Sequence, residues 1–184
     1  WLTIPVEVKG KYHQLIRDTR VSDPGWGRDH WLTLRGAYAR APHFAAYADD
    51  VERLYRTTTS PFLSDVNRAW LTAVCGWLGV TTPLTSSADY PHAAADPTDR
   101  LVEICVAAGA DEYVSGPAAR AYLDEGVFAR GGGRVAWADY AGYPEYPQLH
   151  GPFDHAVSAL DLLFMTGPDA ARYLDRTGGA RHAA

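Results

Sequence analysis

The chain has 184 residues, 47% of them hydrophobic and 21% charged, a size and balance that suit one globular core. Its net charge of −5 lacks the basic face of a dedicated nucleic-acid binder, so no nucleic-acid partner is expected. No apolar run is long enough to span a bilayer, so no membrane partner is expected either, and the two cysteines lie far from any CxxC spacing; both point to a cytoplasmic protein.

Leu2 to Val8 reads as a strand rich in β-branched residues, which Pro5 pushes toward an edge or a bulge. A turn at Gly10 leads to a second, loosely alternating strand from Gln14 to Val21, and Ser22-Asp23-Pro24-Gly25 is turn-forming. Arg28 to Ala39 places Trp31, Leu34 and Tyr38 on one helical side, and Pro42 interrupts it. His43 to Arg56 repeats the pattern with Phe44, Tyr47, Val51 and Leu54. Ser60-Pro61 supplies a hydroxyl cap and a first-turn proline for a helix carrying Phe62, Val66, Trp70, Val74 and Trp77, which stops at Gly79.

Val80 to Leu84 reads as a short strand, followed by a polar loop. Asp96-Pro97-Thr98-Asp99 combines a cap, a proline and an early acid, predicting a helix to about Ala108. Glu112 to Gly116 is a short strand, Pro117 opens a helix through Leu123, and Arg134 to Ala138 is a strand after the turn at Gly131–Gly133. Ala156 to Phe164 and Asp169 to Leu174 are the last helices, and 177–184 is expected to be a disordered tail. Strands and helices alternate from residue 80 onward. The expected fold class is therefore α/β: a single domain over 1–176, with a mostly parallel sheet flanked by helices. In that sheet 80–84 and 111–115 would be parallel neighbours.

Cys75 and Cys105 sit among apolar residues of helical pattern and read as small buried hydrophobes. The seven histidines form no HxxxH or HExxH spacing, and no metal is expected. Gly131-Gly132-Gly133 has neither dinucleotide-binding spacing nor a P-loop lysine, and no cofactor is expected.

Residues 137–167 concentrate chemistry. Trp137, Tyr140, Tyr143, Tyr146, Gln148, His150, His155, Ser158 and Asp161 fall in one span, and Pro144, Pro147 and Pro152 keep its first half irregular. A ring-rich polar loop feeding a helix is a fitting wall for a small-molecule site. Ser158 and Asp161 share a helix face, where they serve equally as a capping box or as catalytic groups. A triad of Ser158, His150 and Asp161 would lack the GxSxG elbow. At Asp111–Leu123 a strand closes on Ser115-Gly116 before Pro117. That corner could hold an anion at a helix start, or could be a bare β–α turn. His30 is the early histidine best placed for a site, against an ordinary structural role.

Taken together, WLTIPV (1–6), YARAPHF (38–44), GADEYVSGPAARAYLDE (109–125) and YPEYPQLHGPFDHAVSALDLLFMTGP (143–168) resemble the WbqC-like protein family over nearly the whole chain. The resemblance maps a Tyr-x-Gln, Phe, Ser, Asp, Gly pattern onto Tyr146, Gln148, Phe153, Ser158, Asp161 and Gly167. It also maps Tyr-x-Ser-Gly onto Tyr113, Ser115 and Gly116, with Tyr122 following. Members carry His-Gln-Pro and Arg-Asn motifs upstream of the WLTIPV-like strand. Their absence here, with Trp1 in place of an initiator Met, leads us to read the chain as a fragment missing an N-terminal segment. Met165-Thr166 stands where members have an Asn.

The resemblance implies a place in surface-polysaccharide (O-antigen) or secondary-metabolite biosynthesis. The expected activity is acyl or aminoacyl transfer to a sugar or related amine, with a small-molecule partner such as an activated sugar. Tyr113, Ser115, Gly116, Tyr122, Tyr146, Gln148 and His30 would bind substrate, and Asp161, His150 and Ser158 would be catalytic. Nucleotidyl transfer and a non-catalytic binding or scaffold role are the alternatives.

Overall fold

A computed structural model describes residues 1–174; the tail expected at 177–184 lies outside them. The fold is α/β, with a small parallel sheet. The chain divides into two compact units, one of Trp1–Thr82 with the described residues from Tyr143 on, the other of Pro83–Gly142.

In the first unit, prolines shape the opening segment. Val6 and Val21 form an antiparallel bridge flanked by Glu7 N–H to Arg20 O and Ser22 N–H to Pro5 O, both 2.9 Å. The pairing goes no further, because Pro5 has no N–H to return and the Gln14 side-chain amide takes the Glu7 carbonyl. The two strands expected at 2–8 and 14–21 are thus reduced to isolated bridges, and Ile16–Asp18 is a 3-10 turn. The Pro61 carbonyl accepts the Val21 N–H and the Leu63 N–H goes to the Thr19 carbonyl. Phe62 between them stays extended, so the third helix starts later than predicted, and Ser60 Oγ accepts the Phe62 N–H and donates to Asp65.

Three helices follow: α1 (Trp26–Tyr38), α2 (Phe44–Thr57) and α3 (Leu63–Trp77). Their apolar faces meet at Trp31, Leu34, Phe44, Val51 and Val66, with Trp31 stacked on Phe44 at 5.9 Å. After α3, residues 80–84 form no strand. Val80 and Leu84 are each 41% exposed, and Pro83 removes a donor, so β propensity finds no ladder there.

The second unit holds α4 (Pro97–Ala107), β1 (Glu112–Ser115), α5 (Glu125–Arg130) and β2 (Arg134–Trp137). Asp96 caps α4 by accepting the Thr98 and Asp99 amides, as the sequence predicts. The parallel neighbour of β1 is β2, in register from Glu112↔Arg134 to Ser115↔Trp137, and not 80–84. Pro117 opens only a 3-10 turn, Pro117–Ala121. Helix α5, absent from the sequence reading, starts one residue after Asp124, whose carboxylate accepts the Gly126 N–H. Ala119, Leu123 and Phe128 are its buried core.

The chain returns to the first unit through the proline-rich segment and enters α6 (Ala159–Thr166). This helix is buried almost all round: Leu160, Asp161, Leu162, Leu163, Phe164 and Thr166 are sealed from solvent. It begins three residues later than predicted because Ser158 takes the cap position. It ends at Gly167, whose φ of +58° suits glycine, and where a Cβ would overlap the His43 ring. A 3-10 segment, Gly167–Tyr173, closes the described chain in place of the helix expected at 169–174. Among the described residues no helix is long and apolar enough to cross a membrane.

Candidate functional site

Asp161 lies in the first turn of α6, on a helix with no polar face, and is 5% exposed. A buried carboxylate is costly unless its lone pairs are filled. Three side chains fill them. Tyr38 Oη donates to Oδ1 at 2.8 Å, and Tyr146 Oη and Gln148 Nε2 donate to Oδ2 at 2.8 and 3.2 Å. Tyr38 ends α1, while Tyr146 and Gln148 come from the proline-broken loop, so one carboxylate ties a helix end and a loop to α6.

Gln148 is itself fixed at both ends. Its Nε2 donates to the Asp154 carbonyl and its Oε1 accepts the Asp154 N–H, both at 2.9 Å. The Tyr146 ring is edge-on to Phe153 and Tyr173, at 5.2 and 5.6 Å. Burial, then the bond to Asp161, pushes the Tyr146 phenol up to about 12, against the opposing Gln148 amide. The same two causes raise the Tyr38 phenol. Both hydroxyls are therefore neutral donors at ordinary pH. No cation lies within 4 Å of Asp161 among the described residues.

The other predicted residues of this unit take separate places. Ser158 Oγ accepts the Leu160 N–H at 3.2 Å, which is the capping role; Asp161 does not return to close a box, because its side chain turns to the tyrosines. His150 is exposed, with Nε2 3.3 Å from the Ala37 carbonyl. Among the described residues no hydrogen bond joins Ser158, His150 and Asp161 into a triad. His30 sits 3.1 Å from the Thr3 carbonyl and edge-on to Trp26 and Tyr55.

Within the second unit, Tyr113, Ser115 and Gly116 gather at the end of β1. Tyr113 stacks on Phe128 at 5.2 Å. The Ser115 carbonyl accepts the Ala138 N–H at 2.8 Å. A Cβ at Gly116 would lie 3.2 Å from Tyr140 Oη, so the tyrosine hydroxyl occupies the space in front of this corner. The 3-10 turn that follows, five residues long, is too short to offer the free amides of a helix start. Tyr122 is 77% exposed.

One concavity of the first unit escapes sequence reading. A groove of about 520 Å³ is lined by residues that include Trp26, Arg28, Trp31, Glu52, Tyr55 and Arg56. In sequence Trp31 reads as a core residue of the first helix, while Trp26 precedes the helix expected from Arg28 and Tyr55 falls outside the apolar spacing of the second. The available signal was that both helix-flanking turns, 22–25 and 57–60, are short and polar.

The model of the WbqC-like protein family matches residues 1–173. The chain belongs to that family. A relative of this WbqC-like chain, the uncharacterized protein Rv1507c of Mycobacterium tuberculosis (strain ATCC 25618 / H37Rv), is 47% identical over 174 residues, covering 95% of the chain and 75% of the relative. No solved structure matches. For a WbqC-like chain, the Tyr-x-Gln and Asp of the resemblance are the residues that converge here, as Tyr146, Gln148 and Asp161.

Proposed function

We propose that this WbqC-like chain is a cytoplasmic enzyme of surface-polysaccharide or secondary-metabolite biosynthesis that transfers an acyl or aminoacyl group to an amine of a sugar or related metabolite. The observation that supports it is the Asp161 network: a desolvated carboxylate that orients two neutral phenols and an amide from a loop rich in rings. When an amine attacks the carbonyl of an activated acyl donor, a new C–N bond forms, the ammonium proton passes to a base, and the bond to the donor's leaving group breaks as the intermediate collapses; donors help where oxyanion charge develops. The phenols and the amide spend their hydrogens on Asp161 and Asp154, so their part is to hold the ring-rich loop as a rigid wall for the acceptor, while the imidazole of His150, exposed on the same loop, suits the role of base. Asp161 is then a positioning residue, its oxygens already occupied. Within the second unit, Tyr113, Ser115, Gly116 and Tyr122 would bind substrate at a corner of their own, and Ser158 would act through the helix it caps.

Cells lacking the chain would accumulate the free amine metabolite, detected by mass spectrometry. The wild-type chain would restore the acylated product and Gln148→Ala or His150→Ala would not. Full restoration by both variants would refute the reading. A non-catalytic binding role is favoured by one specific observation, the complete occupation of Asp161 by internal donors. Under that reading the isolated chain binds the metabolite without turnover.

A further inference from the structure

The groove between the start of α1 and the end of α2 has no part in the proposed transfer chemistry, and its composition is unusual. Arg28 lies in the first turn of α1, where a cation opposes the helix dipole, and no side chain caps that helix start. Arg56 lies in the last turn of α2. Neither guanidinium has a carboxylate within 4 Å among the described residues, although Glu52 lines the same groove. Tyr55, 9% exposed, also lines it, and its hydroxyl has no hydrogen-bond partner among the described residues. Burial pushes that phenol up to about 12, so it is a neutral donor. The close approach of the two helices depends on Gly27: a Cβ there would come within 2.9 Å of the Tyr55 carbonyl.

Two guanidiniums without carboxylate partners line this one groove, and guanidinium forks match phosphate geometry. A carboxylate beside them cannot serve that anion but accepts hydrogen bonds from hydroxyls. Trp26, Trp31 and Tyr55 line the groove as well and add apolar surface for a ring, and the volume is that of a small-ligand cleft. We propose that this groove binds a phosphate carried on a sugar ring: Arg28 and Arg56 hold the phosphate, Glu52 accepts sugar hydroxyls, and the Tyr55 hydroxyl donates to the ligand. The inference concerns binding alone and stands apart from the Asp161 chemistry.

The test titrates glucose 1-phosphate, ADP, glucose and inorganic phosphate into the chain, followed by tryptophan fluorescence and calorimetry. Glucose 1-phosphate or ADP saturates the signal, with glucose and inorganic phosphate each at least ~10-fold weaker, and the preferred ligand shows whether a bare sugar phosphate or a nucleotide is taken. Combining Arg28→Gln with Arg56→Gln weakens binding ~10-fold or more, while Glu52→Gln weakens glucose 1-phosphate and leaves inorganic phosphate unchanged. All three positions are on the groove lining, and circular dichroism checks that the variants keep their helices. No saturable binding of either sugar phosphate, equal affinity for inorganic phosphate, or undiminished binding in the double arginine variant overturns the proposal. Loss of product in the Gln148 variant with sugar-phosphate binding intact separates the two sites.

Discussion

Phe164 and Phe128 are both sealed from solvent, at 0% and 2% exposure, but their surroundings differ. Phe164 belongs to a core fed by α1, α2, α3 and α6 and touches Tyr38 and Phe44 ring to ring. Phe128 packs with a short helix and a two-stranded sheet, with Ala119 and Leu123 as the other buried members of its cluster among the described residues. The polar groups follow the same division. The first unit sinks a carboxylate into its core and saturates it. The second keeps its polar contacts at the surface, as in the Arg134–Glu112 pair and the Trp137 Nε1–H to Glu125 bond. A deep core can hold a desolvated polar network rigid, whereas a thin one cannot exclude enough water to do so.

The largest effects come from emptying these cores. Phe164→Ala should cost about 3–5 kcal/mol and lower the denaturation midpoint of the helical signal. Phe128→Ala should instead speed hydrogen exchange of β1 and β2 while the α6 amides stay protected. Equal loss of protection in both units would erase the distinction. Asp161→Ala leaves two phenols and an amide without their acceptor and should cost ~3 kcal/mol or more by urea denaturation. A loss under about 1 kcal/mol would show that the network is loosely hydrated.

Backbone and cap changes come next. Gly167→Ala meets both the positive φ and the His43 ring, so a loss of roughly 1–3 kcal/mol is expected. Gly116→Ala meets only the movable Tyr140 hydroxyl and should fall within about 1 kcal/mol. Ser158→Ala should remove about 1 kcal/mol by thermal melting and leave product formation intact, since the hydroxyl is committed to capping. The smallest effect is on pH. The Tyr146 phenol is raised in the fold from 10 to about 12, so its contribution is complete below pH 10 and is lost as pH rises through 12. Phenolate absorbance of wild type minus Tyr146→Phe should therefore appear only near that upper value.

Much of the site was legible as chemistry and little of it as geometry. Tyr146, Gln148 and Asp161 stand out in sequence because a proline-broken run of rings ends in a helix. Tyr38 did not, since its spacing in α1 is that of an ordinary core residue, yet it supplies the bond to Asp161 Oδ1. Ser158 looked equally like a cap and a nucleophile, and its bond to the Leu160 amide gives it the first role. A triad of His150 with Ser158 and Asp161 can be written from the sequence, but the loop sets His150 Nε2 against the Ala37 carbonyl.

The sequence by itself determined the helices whose signals are local. Trp31, Leu34 and Tyr38 in α1, Phe44 and Val51 in α2, and the Asp96-Pro97 start of α4 depend on neighbours no more than a few residues away. Only tertiary structure decided the rest. Residues 80–84 have strand propensity but join no described strand ladder, whereas 112–115 and 134–137 pair with each other, and a ladder exists only where a second backbone arrives in register to fill its hydrogen bonds. The same rule governs Asp161, whose charge could enter the core only because Tyr38, far away in the chain, and the loop at 146–148 meet it there.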